Sequence, residues 1–324
     1  MVLCVFQQNY PFSYVLNFNK NRISVGHFFV LFQDLIFFFI KQRSTPVKFR
    51  SLQVLKFFKF CFDFYIKSSI HVALAVTCLG SLTVGLVPES DSKKLLIFIF
   101  FSTLFTYNFI KYFPLFFSGA TRKNSAGILS LSSISGLVAF GIFFTLNFET
   151  KIFVIFGGFL VIVYTIPFFG ETSNWRNKKG WKIHLVALCW VLLTVGAPLA
   201  FLNNLSFALF LKGSLIQFIY VWVATLPFEI RDVSTDDLSL RTIPQQFGIH
   251  KTKIIGLLLL GIGLFVSVFL YNFMDVIPIL IAYVVLGISL YYSTPEKSKY
   301  YTSFWIEGIP MIWWLSFHLI SYFY

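Results

Sequence analysis

The sequence predicts an all-α integral membrane protein, a bundle of about nine transmembrane helices around a central cavity. Two features of composition support this class: hydrophobic residues make up 57% of the chain and charged residues only 12%, with a mean hydropathy of +0.78. Soluble domains carry about twice that share of charge. The 44 phenylalanines are too many for one water-soluble core in a chain of 324 residues. A lipid bilayer is the solvent that fits this composition.

Nine apolar runs approach or reach the length of about 20 residues that a helix needs to cross a bilayer. They are 64–87, 95–117, 126–148, 152–170, 183–202, 213–228, 253–271, 276–292 and 304–323. The sixth run is short, and its first residue is not fixed by the sequence, because Lys212 interrupts the apolar stretch. Several runs contain proline, which spanning helices tolerate when their neighbours satisfy the freed backbone groups.

The lysine and arginine residues predict the orientation. The N-terminal segment and the loops after runs two, four, six and eight carry 21 of them, against 4 in the other loops and the C-terminus. Because positive charge concentrates in cytoplasmic loops, we expect a cytoplasmic N-terminus and an external C-terminus, in a cell or inner membrane. The net charge of +13 then reflects topology and anionic lipid headgroups, and no nucleic-acid partner is expected.

Residues 1–50 are predicted to form an N-terminal extension outside the fold, and residues 51–324 to form the membrane domain. The apolar run from Phe28 to Ile40 is too short to span comfortably and contains Gln33 and Asp34. No basic segment precedes the first apolar stretch and no small-residue cleavage site follows it, so a signal peptide is not indicated.

Acidic residues concentrate in the loop after the sixth run. Four of the 13 in the chain lie between Glu229 and Asp237. If this segment is helical, Glu229, Asp232 and Asp236 share one face at positions i, i+3 and i+7. Three such carboxylates repel one another unless a cation lies between them, and oxygen ligands suit Mg²⁺, which also bridges to phosphates. The pattern therefore predicts a Mg²⁺ site for a ligand with a diphosphate headgroup and an apolar tail.

The same loop resembles the second aspartate-rich motif of the UbiA superfamily of intramembrane prenyltransferases. The sequence reads E-I-R-D-V-S-T-D at 229–236 and R-T-I-P-Q-Q-F-G at 241–248. Asp232 and Asp236 match the paired aspartates of that motif, and Glu229 matches the preceding polar position. The downstream tail is matched by Arg241, Thr242, Pro244 and Gly248. A further match is Y-T-I-P, which begins at Tyr164. The resemblance covers roughly residues 60–324 and implies nine helices with both acidic loops on the cytoplasmic side.

The first aspartate-rich motif of that family is degenerate here. The region reads T-Y-N-F-I-K-Y-F-P-L-F-F, in which Asn108 aligns with the family's asparagine but the aspartate positions fall on Tyr112 and Phe116. No acidic residue occurs between Asp91 and Glu149. A two-metal diphosphate clamp therefore cannot be assumed for this chain.

Cations occupy the region instead, namely Lys111, Arg122 and Lys123. Because arginine and lysine bind phosphate well, we expect these three, with Asn108 and Arg241, to contact the diphosphate. Arg122 and Lys123 are equally consistent with ordinary cytoplasmic charge, and Lys111 with snorkelling to the headgroups.

By resemblance, the protein transfers a polyprenyl group from its diphosphate to a lipophilic or aromatic acceptor, with Mg²⁺ as cofactor and with Tyr112 and Tyr164 in the substrate cavity. Two alternatives stay open. One is a non-catalytic member of the same fold that binds a prenyl lipid or supports an assembly. The other is a small-solute transporter, which the few ionisable residues inside the runs disfavour. Two of these, His71 and Glu307, are expected to face a cavity as structural polar groups.

The charge asymmetry makes a direct prediction about topology. Reporter fusions placed after the sixth run should score cytoplasmic, and fusions at Tyr324 should score external. A cytoplasmic C-terminus would remove the nine-helix arrangement, because an odd number of spans must separate the two termini.

Overall fold

The computed structural model describes residues 49–85, 92–117, 126–166 and 180–323, and these residues form helices and connections without any β-strand. The predicted extension at 1–50 lies almost wholly outside the described residues and stays a prediction. The chain divides into two compact units, Met1–Phe58 and Lys59–Tyr324. The second unit contains nearly all of the described residues, and the functional features lie within it.

The described residues contain eleven α-helices. They are α1 (Phe49–Lys67), α2 (Ile70–Gly85), α3 (Lys93–Phe117), α4 (Ala126–Phe144), α5 (Phe148–Thr165), α6 (Trp181–Val191), α7 (Ala197–Phe201), α8 (Phe207–Asp232), α9 (Ile243–Leu270), α10 (Phe273–Tyr291) and α11 (Ile309–Phe323). Two π-helical segments, Leu192–Gly196 and Tyr301–Ile306, precede α7 and α11, and a short 3₁₀ segment, Leu238–Leu240, lies between α8 and α9.

These helices confirm the predicted all-α membrane fold. In the part of the chain that the structure describes, seven helical segments are long and apolar enough to cross a membrane, with Trp181–Phe201 counted as one. The pair α1 and α2, bent by 52°, adds an eighth. The ninth predicted run corresponds to α11, which has 15 residues. Each predicted run thus contains a helix.

The sixth span is longer than the sequence indicated, because the charge of Lys212 does not interrupt α8. The helix begins at Phe207, where the Ser206 side chain accepts a hydrogen bond from the Leu209 N–H at 3.2 Å. The Lys212 ammonium lies 3.9 Å from the centre of the Tyr271 ring. A cation over an aromatic face is attracted to it, and this contact accommodates the charge within the span.

Aromatic packing joins the later helices into a core. The Trp313 ring lies 5.2 Å from that of Tyr220 and 6.1 Å from that of Tyr283. The Tyr283 hydroxyl donates a hydrogen bond to the Ile216 carbonyl at 2.7 Å, so its polar group is satisfied in the interior. Gly263 makes this packing possible, since a Cβ at that position would lie 2.7 Å from the Tyr283 ring.

A buried hydrogen-bond network also crosses the helix bundle. The Gln217 amide donates to the Leu79 carbonyl and to the Thr83 hydroxyl, both at 3.3 Å, and its oxygen accepts from the Thr194 hydroxyl at 2.6 Å. The Thr83 hydroxyl in turn donates to the Thr194 carbonyl at 2.7 Å. Because Gln217 joins α8 to α2 and to the first π-helical segment, its loss removes three buried hydrogen bonds from the network.

We therefore expect Gln217→Leu to lower the melting temperature in detergent, through a loss of about 1–3 kcal/mol of stability. The matched control is Gln246→Leu, which removes a glutamine from an exposed position of α9 and should change much less. Thermal unfolding followed by circular dichroism measures both variants. Equal shifts in the two would contradict a stabilising role for the network.

Candidate functional site

A cavity of about 500 Å³ lies among the helices, bordered mainly by α3, α5, α6, α8 and the segment 303–310. Its walls are mostly apolar and aromatic, and they include Phe98, Phe153, Trp190 and Phe228. The Trp190 ring N–H donates to the Tyr107 hydroxyl at 2.8 Å, which fixes two of the larger rings. A pocket of this size and lining suits an elongated apolar ligand.

Six charged side chains also border the cavity: Lys111, Lys182, Arg231, Glu229, Asp232 and Glu307. Three are cationic and three are acidic. They come from the C-terminal half of α3, the last turn of α8, the first turn of α6 and the residue that follows the second π-helical segment. Within this set, Arg231 and Asp232 form an ion pair at 2.6 Å.

Arg231 is held at the edge of the cavity by several contacts. Its Nε and Nη2 atoms donate to the two carboxylate oxygens of Asp232 at 2.7 and 2.6 Å, and its Nη1 donates to the Thr302 hydroxyl. The guanidinium also lies 5.4 Å from the centre of the Phe228 ring. A paired fork of this kind fixes the orientation of the guanidinium. Each oxygen of Asp232 thus accepts one hydrogen bond from Arg231.

Glu229 has a structural partner at the start of α9. Its carboxylate, which is buried, accepts a hydrogen bond from the Ile243 N–H at 3.2 Å. The neighbouring Thr242 N–H donates to the Gln245 side chain at 2.9 Å. The first N–H groups of a helix have no partner within the helix, so side-chain oxygens that accept from them stabilise the helix start. The R-T-I-P tail is thus the beginning of α9, with Pro244 in its first turn.

The expected single helical face of three acids is corrected by the structure. Helix α8 ends at Asp232, and the chain then turns before the 3₁₀ segment, so Asp236 lies beyond the helix. The Asp236 carboxylate instead lies 3.8 Å from the Lys182 ammonium. The Gly180 N–H donates to the Leu240 carbonyl at 3.0 Å, which holds the start of α6 beside this loop. Asp236 is outside the cavity lining.

The degenerate first motif supports a bend. Asn108 is buried and donates to the Ser68 carbonyl at 3.0 Å, and the Lys111 ammonium donates to the Ser69 hydroxyl at 2.8 Å. Tyr112 donates to the Lys67 carbonyl at 3.4 Å. Ser69 has a positive φ of 64°, so the break between α1 and α2 is tight. Of the three motif residues, Lys111 lines the cavity, whereas Asn108 and Tyr112 contact the bend.

The other predicted site residues are dispersed. Tyr164 lines the cavity, and its predicted contact with a substrate stays a prediction. Arg241 is exposed, lies outside the cavity lining and has a positive φ of 45°, and its carbonyl accepts a hydrogen bond from Gln246. Arg122 and Lys123 lie outside the described residues. The predicted phosphate contacts therefore stay predictions.

Glu307 faces the cavity, as expected for an ionisable group within a span. The preceding π-helical segment sets its direction, because a π turn accommodates an extra residue and re-aims the side chains after it. His71 was expected to face the cavity too, but it joins helices instead. Its two ring nitrogens lie 2.8 Å from the Tyr65 hydroxyl and 2.8 Å from the Phe304 carbonyl, just before Glu307.

The residues predicted from the sequence did not include Lys182 and Arg231. Arg231 lies within the recognised motif, and its position next to Asp232 was the available signal. Lys182 has the appearance of an ordinary positive loop residue, and only the packing of α6 against α8 places it beside the acids. Among the described residues, no group of three or more His, Cys, Asp or Glu side chains is arranged to hold a metal ion.

Comparisons with known proteins define the fold. No protein-family model matches the chain, and no curated protein matches it. A solved structure of a UbiA homolog from Archaeoglobus fulgidus, bound to GPP and Mg²⁺, is similar with a TM-score of 0.56 at 11% identity, covering 80% of this chain and 99% of that chain. A second structure of a UbiA homolog from that organism gives 0.51 at 11% identity, covering 80% and 98%.

The chain has the UbiA fold. The resemblance inferred from the loop after the sixth run is thus confirmed at the level of architecture. In this UbiA-like protein, the cavity with its charged rim is the candidate functional site, and the loop between α8 and α9 contributes both charged contacts and the start of α9.

The contact between Glu229 and α9 predicts an unequal response to two substitutions. Glu229→Leu should lower the melting temperature, through a loss of about 1–3 kcal/mol, because the Ile243 N–H loses its acceptor. Glu229→Gln keeps an acceptor oxygen and should cost less. Asp237→Leu, at an exposed position of the same loop, is the control. If the Gln and Leu variants unfold at the same temperature, the carboxylate has no capping role.

Proposed function

We propose that this protein is a UbiA-like intramembrane prenyltransferase, which transfers a polyprenyl group from its diphosphate to a lipophilic or aromatic acceptor. The observation that supports this proposal is the combination, in one cavity, of apolar walls with three cationic side chains. A prenyl diphosphate has the matching two parts. The similarity to a UbiA homolog bound to GPP and Mg²⁺ supports the same class of ligand.

The apolar walls would bind the prenyl tail. Such a tail is as hydrophobic as lipid and can enter the cavity from the bilayer, where Phe98, Phe153 and Trp190 contact it. Cleavage of the allylic C–O bond leaves a carbocation at the first carbon of the tail. Aromatic faces stabilise a cation, and exclusion of water prevents its capture by hydroxide or water.

The charged rim would bind the diphosphate. Cleavage transfers negative charge to the leaving diphosphate, and cationic groups held in place beforehand stabilise that charge. Lys111 and Arg231 are both anchored at the cavity by hydrogen bonds. The proton released by the acceptor when the new bond forms needs a base, and the acids of the rim are candidates for that role.

The UbiA homolog implies Mg²⁺, but the carboxylates here do not fit such a site in the geometry described. Asp232 directs both oxygens at Arg231, and Glu229 accepts from a helix N–H. The sequence predicted that Glu229, Asp232 and Asp236 would hold Mg²⁺ together, but among the described residues no three such side chains are arranged to hold a metal ion.

A second candidate function is a non-catalytic protein of the same fold that binds a prenyl lipid. The observation that favours it is the commitment of Asp232 and Glu229 to Arg231 and to α9, which leaves these carboxylates in structural roles. Product formation separates the two candidates. Purified protein with labelled prenyl diphosphates of several chain lengths and a panel of aromatic acceptors would yield a prenylated product only for the transferase.

Occupation of the cavity by the prenyl tail predicts a selective effect of one glycine. Gly157 lines the cavity, and a Cβ there meets no atom within 4 Å. The Gly157→Leu side chain should therefore fit, and it should reduce the cavity volume available to the prenyl tail. We expect GPP binding to weaken about tenfold or more, measured by calorimetric titration in detergent. Gly141→Leu is the matched control, since a Cβ at Gly141 also meets open space, away from the cavity lining. Equal affinity of the two variants would place the tail elsewhere.

A further inference from the structure

We propose that Lys111 and Arg231 bind the anionic headgroup directly, with Glu307 as a built-in counter-anion in the same cavity lining, so that headgroup binding needs no divalent metal ion. This inference rests on the proposed function and deepens it. Lys111 and Arg231 recognise the diphosphate, and Glu307 opposes its binding.

The two cations are fixed before any ligand arrives. Lys111 donates to the Ser69 hydroxyl at 2.8 Å, and Arg231 is held by Asp232, by Thr302 and by the face of Phe228. Ordering a long side chain on binding costs about 0.5–1.5 kcal/mol, so anchored cations bind an anion better than mobile ones. Both also keep N–H donors beyond those used in these contacts, because an ammonium carries three and a guanidinium five.

Glu307 lines the same cavity as both cations, and among the described residues the ion pairs within 4.0 Å do not include it. Because a carboxylate inside a membrane protein needs compensation by nearby positive charge, these two cations also explain how Glu307 is tolerated there.

The cavity rim carries less negative charge than the family's first motif would give it, which favours binding of a diphosphate without a metal ion. Tyr112 and Phe116 stand where the resemblance expects two aspartates, and Lys111 adds a cation in the same stretch. Fewer carboxylates means less repulsion of a diphosphate, and the repulsion is what a bridging metal ion would otherwise neutralise. Since Asp232 and Glu229 already have direct partners, the acid of the cavity lining that most opposes a headgroup is Glu307.

Lys111 and Arg231 therefore raise the affinity for GPP, whereas Glu307 lowers it. Lys111→Gln should weaken GPP binding about tenfold or more, the usual effect of losing one charged contact at a headgroup. Glu307→Gln keeps the shape but removes the competing negative charge, so GPP should bind several-fold more tightly. A residue that only holds a Mg²⁺ ion or the fold would weaken binding when substituted.

Calorimetric titration of the full chain in detergent tests the proposal, with GPP and separately with inorganic pyrophosphate, each in EDTA and in Mg²⁺. Lys251→Gln is the control for loss of one positive charge, because Lys251 is exposed on α9 and lies outside the cavity lining. Ser69→Gly tests the anchor separately from the charge. It removes the anchor of Lys111 but keeps the cation, and glycine suits the positive φ of 64°.

The expected result is GPP binding that EDTA does not change, weakened by Lys111→Gln, weakened less by Ser69→Gly, strengthened by Glu307→Gln and little affected by Lys251→Gln. Pyrophosphate should show the same order with lower affinity. Binding that appears only with Mg²⁺, or a Glu307→Gln variant that binds less tightly while its melting temperature is unchanged, would overturn the inference and leave the proposed function standing. Failure of wild type to bind GPP in either condition would remove both.

Discussion

A charged side chain inside a membrane protein has to meet an opposite charge or a fixed dipole, and the functional end of this protein is arranged around that constraint. Arg231 faces Asp232 and Thr302, Lys182 faces Asp236, and Glu229 faces the start of α9. These contacts connect the ends of α6, α8 and α9. The helices can therefore enclose an apolar cavity whose rim is charged but internally compensated.

The helices themselves were predictable, because a bilayer imposes a length and an apolar composition on every span. The sixth span shows the limit of that reasoning. Its start depended on whether Lys212 ends the run, and the answer lies in Tyr271, a residue almost sixty positions later. The π-helical segments before α7 and α11 could not be predicted from the sequence either, because a local change of winding leaves the hydrophobic pattern almost unaltered.

The site was predictable only in part, because sequence spacing says nothing about where a helix stops. Glu229, Asp232 and Asp236 share a face only if α8 continues past Asp232, and it does not. Glu229 and Asp232 do reach the cavity, as do Lys111, Tyr164 and Glu307. Lys182 joins them through packing of distant helices. The motif thus located the correct loop, while the partners of its residues depended on tertiary contacts.

The position of Glu307 also bears on how such a cavity changes through insertion or deletion of residues. The π-helical segment Tyr301–Ile306 contains the extra residue that directs Glu307 inward. Removing one residue from it would restore α-helical winding and rotate Glu307 and α11 by about 100° relative to the chain before the segment. The acidic group would then leave the cavity in a single genetic step, without any substitution at the carboxylate. In this fold, the charge of the interior can therefore be altered by chain length as well as by residue identity.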